Sequence, residues 1–110
     1  MKISYRQAAS DDVVRQFRYY LVTLNLPEVA VRFRAAIRPT VQSLRQHPFL
    51  GTLYPLRNPQ LRNPRFLPVA GFDAIGLYYL VDNDTIRVIR ILHGKRDVRR
   101  ILEQEGLEGR

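Results

Sequence analysis

The stretch Phe72 to His93, FDAIGLYYLVDNDTIRVIRILH, decides the fold of this chain. From Phe72 to Val81 it is apolar on nearly both faces: Ile75, Leu77, Tyr79 and Val81 fall on one side, and Ala74, Tyr78 and Leu80 on the other. A strand of that kind belongs inside a sheet with something packed over it, because water on either face would meet apolar side chains. Asp82, Asn83 and Asp84 supply a turn, and Thr85 to His93 resumes as a second long strand, so the two form a hairpin. Arg65 to Val69 reads as a strand before them, ragged or at an edge because of Pro68. In the last strand, simple alternation puts Arg87, Ile89, Ile91 and His93 on one face and Val88, Arg90 and Leu92 on the other.

Upstream, Lys2 to Arg6 alternates with Ile3 and Tyr5 on one face, the period of a half-buried first strand. Ser10 then offers a helix N-cap, with Asp11 and Asp12 in the first turn, and Val13, Phe17, Tyr20 and Leu24 keep helical spacing to about Asn25. Pro27 suits the start of a second helix, whose apolar stripe of Val29, Phe33, Ile37, Val41 and Leu44 runs to His47-Pro48, with Pro39 as an internal kink. The short join makes the helices an antiparallel hairpin. Gly51 to Pro68 contains LRNP twice and reads as an extended basic loop stiffened by proline. After Gly94, expected to supply a positive φ, Val98, Ile101 and Leu102 mark a short final helix. The expected class is α+β: an N-terminal strand, a helical hairpin packed on a small antiparallel sheet, and a short C-terminal helix, in one domain over residues 1–110.

A net charge of +8 gives the surface a field that attracts anions. The absence of cysteine excludes disulfides, thiol nucleophiles and thiolate metal sites. No apolar run is long enough to span a membrane, and MKISYRQAASDD lacks the apolar core of a secretion signal, so a cytoplasmic location with no membrane partner is expected. No metal and no cofactor is expected: the glycines are scattered, the two histidines are distant, and no serine sits in a nucleophile elbow.

Several pieces together resemble the RelE/ParE superfamily of toxins from bacterial toxin-antitoxin modules, most closely its ParE branch. They are Ala9, Asp12, Val13, Phe17, Tyr20 and Leu21 in the first helix; Pro27, Ala30, Phe33, Ile37 and Leu44 in the second; Pro48-x-x-Gly51; and Tyr79 and Val81 followed by RVIRILHGKRDVRRIL. Two departures stand out: Gly76 lies near a position where members often carry arginine, and the doubled LRNP loop is longer than the usual connection.

The resemblance implies a toxin neutralised by a cognate antitoxin, itself acidic and carrying an N-terminal DNA-binding domain. Its implied target is DNA gyrase; the alternatives are a ribosome-dependent mRNA endonuclease and a non-toxic remnant that keeps only antitoxin binding. Apolar residues of the helical hairpin, Leu21, Leu24, Val29, Val31 and Phe33, are the expected antitoxin contacts, and Arg57, Arg62, Arg65, Lys95 and Arg96 the expected target or phosphate contacts. Nuclease chemistry needs a base, an acid and cations around a phosphorane. The candidates are His93, Arg90 and Arg65. A structural or interface role is the favoured reading of His93, through a hydrogen bond or ion pair with Asp97 across the glycine turn, with Arg96 and Asp97 fastening the last helix. The enzyme question stays open, with a binding protein preferred.

Overall fold

A computed structural model describes residues 1–106. Strand β1 (Lys2–Tyr5) is followed by α1 (Gln7–Arg18), a π-helical segment (Tyr19–Thr23), α2 (Pro27–Gln46), β2 (Thr52–Leu53), β3 (Arg65–Val69), β4 (Phe72–Asp82), β5 (Thr85–His93) and α3 (Val98–Glu103). The α+β architecture expected from the sequence is present. Its sheet is mixed, in the order β1-β5-β4-β3-β2, because β1 joins β5 in parallel while the other pairs are antiparallel.

The first helix begins earlier than its capping residues suggest. Arg6 is still extended, at φ −68° and ψ 150°, and its N–H is held by the Val88 carbonyl at 3.0 Å. Its own carbonyl already accepts from Ala9 and Ser10, so the helix starts as soon as the strand ends. Ser10 therefore caps nothing, and Asp12 is carried past the first turn onto the buried face. Beyond Arg18 the hydrogen bonds widen, with Leu24 N–H reaching Tyr19 O at 3.0 Å. Asn25, at φ 52°, ends the segment, a conformation asparagine tolerates better than most residues. In α2, Pro27 occupies the first turn as expected, and the Thr40 and Ser43 hydroxyls return hydrogen bonds to Ala36 and Pro39 around the internal proline.

Between β4 and β5 the register shifts: Tyr78 opposes Arg90, but Tyr79 opposes Val88. Ile89 is thus an extra residue, a β-bulge, and simple alternation along β5 fails there. Val88 and Ile91 both join the core under the helices, while Ile89 and Leu92 join the core on the other face.

Both faces of the sheet are covered. On one, Phe33, Ile37, Val41 and Leu44 from α2 and Ala9 from α1 pack on Val69, Ile75, Leu77, Tyr79, Ile86, Val88 and Ile91. Tyr20, Phe33 and Phe72 meet there with ring centroids 5.6 to 5.9 Å apart. On the other, Leu61 from the doubled LRNP loop joins Val98 and Leu102 of α3 against Tyr78, Ile89 and Leu92. That loop is consequently part of the fold. The Tyr79 hydroxyl donates to Pro48 O and accepts from Gly51 N–H, both at 2.9 Å. A side chain at Gly51 would put its Cβ 2.6 Å from that hydroxyl and 2.7 Å from Phe66 O, so only glycine fits. At Gly94 the expected positive φ is not taken, since Gly71 alone among the described glycines has one; Gly94 N–H instead closes on Ala74 O at 2.7 Å.

Burial pushes the Tyr78 phenol up to about 12, with the neighbouring Tyr54 adding to the rise. The folded state therefore holds this proton more tightly than the unfolded chain does, and the associated stability is intact below pH 10 and lost as pH climbs towards 12. Urea denaturation over that range will show stability falling with pH, and Tyr78→Phe will flatten the fall. Some slope will remain from Tyr5, Tyr20 and Tyr79, whose phenols are raised the same way by partial desolvation.

Candidate functional site

The densest polar cluster lies where β1 has ended and β5 continues with that edge unpaired. Asp12, 2% exposed, reaches across from α1 and accepts from Arg90 Nε at 2.7 Å, Arg90 Nη2 at 2.8 Å and the Ile91 backbone N–H at 2.9 Å. Arg15 adds a contact at 3.2 Å. Arg90 turns its remaining nitrogen to Glu105 at 2.9 Å, and Glu105 also meets Arg6 at 3.4 Å. The hydrogen bonds to Asp12 outweigh desolvation and raise the Arg90 pKa, so this guanidinium is permanently charged and spent on the fold. The sequence marked Arg90 but missed its partners. The available signal was position: Asp12 stands three residues after Ala9 and just before Val13, on the stripe that must face the sheet.

His93 makes no bond to this cluster but sits in a groove that shares Arg15 with it, lined also by Gln16, Tyr19, Lys95 and Arg96. Its Nδ1 accepts from the Lys95 N–H at 3.1 Å, which in the neutral ring leaves the proton on Nε2 as a donor. The expected bond to Asp97 does not form. Asp97 instead caps α3, accepting from Arg100 N–H at 3.4 Å, because the turn places it one residue before the helix. Asp97 thus fastens the final helix as expected, without His93.

The other candidates are dispersed. Arg65 folds back on its own chain, donating to Phe49 O at 3.2 Å and Gly51 O at 2.8 Å while lying 5.1 Å from the Phe49 ring centre, so it too is structural. Arg57 is exposed, and Arg62 lines a separate cleft with Arg6 and Arg87. Of the apolar hairpin residues, Leu21, Leu24 and Val31 are exposed and Val29 is half-buried. Phe33 is fully buried between Tyr20 and Phe72 and is a core residue, not a contact. The π-helical widening leaves Val22 outside as well, 70% exposed. Among the described residues no cluster of three or more metal-ligating side chains occurs, and no helix is long and apolar enough to cross a membrane.

The fold is that of a solved chain described as the chromosomal ParDE TA system from P. aeruginosa, which superposes with a TM-score of 0.67 at 24% identity over 84% of this chain and 95% of that one. Residues 3–98 match the family of ParE toxins of the type II toxin-antitoxin system parDE, and the chain belongs to that family. It is accordingly a toxin component of a type II module, the kind of protein that is paired with a cognate antitoxin. No curated protein matches it by sequence.

Removing Asp12 would leave Arg90 charged and half-paired and strand the Ile91 N–H. Asp12→Ala should therefore cost about 3–5 kcal/mol in urea unfolding, whereas Arg15→Ala, at an exposed partner, should cost less than about 1 kcal/mol.

Proposed function

We propose that this toxin acts by binding DNA gyrase and holding it on cleaved DNA, without bond-making chemistry of its own. The observation that supports the reading is the employment of the candidate catalytic groups. Arg90 and Arg65, the cations a nuclease would aim at a phosphorane, are engaged within the fold. His93 has its Nδ1 occupied by a backbone N–H and has no carboxylate to orient it among the described residues. What remains accessible is suited to recognition: exposed cations and apolar side chains. Membership of the ParE family points to the same target.

Neutralisation belongs to the same reading. Between α1, α2 and the free edge of β1 runs a groove with an apolar floor of Ile3, Val13, Ile37 and Val41 and a rim of Arg34, Arg38 and Arg45. An acidic, amphipathic antitoxin segment fits it, apolar side chains down and carboxylates on the arginines, with the unpaired edge of β1 open to strand addition. The exposed hairpin residues Leu21, Leu24 and Val31 form a second apolar surface that the same segment can reach only by continuing along the helices.

Purified toxin added to gyrase, ATP and plasmid should inhibit supercoiling and accumulate cleaved DNA, and leave a reporter mRNA on translating ribosomes intact. His93→Ala should keep the gyrase effect. Rapid cleavage of the ribosome-bound mRNA, reduced about 10²–10⁴-fold by His93→Ala as loss of an acid–base catalyst would do, would sink this reading. For the antitoxin, Arg38→Glu should slow association and weaken the complex about tenfold or more at low salt. A larger loss from Leu24→Asp than from Arg38→Glu would move the contact to the hairpin end.

A further inference from the structure

The doubled LRNP loop is the part of the sequence that neither the family pattern nor the proposed function employs. Its first copy is nailed down. Asn58, buried, donates through Nδ2 to Leu102 O at 2.9 Å and Glu105 O at 2.7 Å, and the Arg57 and Asn58 backbone N–H groups donate to the Glu103 carboxylate at 2.9 and 2.8 Å. Leu61, 1% exposed, then plugs the core on that face. Fixed at both points, the loop stands over the Asp82 end of the sheet as a wall. Between wall and sheet lies a cleft of about 350 Å³ lined by Arg6, Gln60, Arg62 and Arg87, with Pro59, Leu80 and Val81 as its apolar parts.

Three arginines thus converge from three separated segments: the β1–α1 junction, the loop and β5. The acids nearby do not neutralise them all. Asp82 also lines the cleft, 54% exposed and 3.5 Å from Arg87, and Glu105 touches Arg6 at 3.4 Å while making its shorter bond to Arg90. Arg62 is exposed and has no acidic partner among the described residues. The wider field has the same sign, since no acidic residue occurs between Glu28 and Asp73.

We propose that this cleft binds phosphate groups of a nucleic-acid backbone, so that the toxin itself grips DNA. Guanidinium forks match phosphate oxygens in pairs, and a backbone needs little more than charge and donors in register. An acidic peptide would look for a deep apolar anchor or exposed β-edge, and the apolar side chains offered here are Leu80 and Pro59, Val81 packing on the other face of the sheet. The cleft lies at the opposite end of β5 from His93 and on the opposite face of the sheet from the antitoxin groove, and the proposal is independent of gyrase.

The test is fluorescence anisotropy of a labelled DNA duplex with the purified full chain over a range of salt concentrations. The double variant Arg62→Glu/Arg87→Glu is compared with a charge-matched control, Arg18→Glu/Arg32→Glu, on exposed positions of the helices that line neither the cleft nor the groove. The cleft variant should bind about tenfold or more weakly and lower the slope of log K against log salt by about 2, one unit per lost phosphate contact. The control should change much less. Equal losses in both variants would show only net charge at work and overturn the proposal, as would tighter binding of a polyglutamate peptide than of a duplex carrying the same charge. Circular dichroism checks folding, and Arg62→Gln/Arg87→Gln, which adds no negative charge beside Asp82, gives the same readout if the glutamate variant misfolds. Because no gyrase is present, the result bears on the cleft alone.

Discussion

A single buried carboxylate holds together the parts of this molecule that would otherwise have no reason to meet. β1 pairs with β5 only as far as Tyr5 and Val88, after which the chain turns into α1 and leaves the far half of β5 with an open edge. Asp12 fills that vacancy from the helix. It takes the Ile91 N–H that a neighbouring strand would have taken and balances its own charge with Arg90. Desolvating such a pair is expensive, and it is tolerated because the carboxylate is almost fully satisfied by directed donors. Arg90 then passes the connection on to Glu105, and Glu105 with Glu103 fixes the loop through Asn58. Helix, sheet, C-terminal segment and loop are thereby linked through one chain of ion pairs and hydrogen bonds.

How much of this was legible in the sequence depends on whether the signal was local. The long hairpin was, because each residue of β4 from Ile75 to Val81 lies on the face that alternation assigns to it. The α2 stripe was too. What failed was the phase of β5. One inserted residue, Ile89, flips every side chain after it, and nothing in the run RVIRILH distinguishes a bulged strand from a regular one. The start of α1 failed for a related reason: a tertiary bond from Arg6 to Val88 set the helix origin and overrode the capping preference of Ser10. Strand β2 has two residues and exists only because β3 is beside it.

The pieces of sequence that identified the family are mostly devices of the fold. Pro48-x-x-Gly51 is the seat of the Tyr79 hydroxyl, Asp12 is the partner of the arginine that closes β5, and the aspartate of HGKRD caps α3. Groups available to meet another molecule lie both outside these motifs, in Arg38, Arg62, Leu24 and Val31, and within them, in Arg87 and Leu21. A family whose signature is spent mostly on the fold can keep its architecture while its targets change.

The placement of these groups bears on how an antitoxin would neutralise this toxin. The groove at the β1 edge lies on the helical side of the sheet, whereas Arg6, Arg62 and Arg87 line a cleft on the other side, under the loop. An antitoxin segment confined to the groove leaves those arginines uncovered. Direct competition for the cleft would require the segment to cross the β1 edge, where Arg6 is the one residue of the cleft that belongs to the β1–α1 junction. Otherwise neutralisation must work mainly through bulk: a partner beside β1 obstructs the approach of any large target. The molecule measures 39 × 29 × 22 Å, so opposite faces lie more than two Debye lengths apart, at about 8 Å each under physiological salt. Charge masking at one face is therefore largely screened before it reaches the other, which leaves bulk as the means by which a groove-bound partner would act.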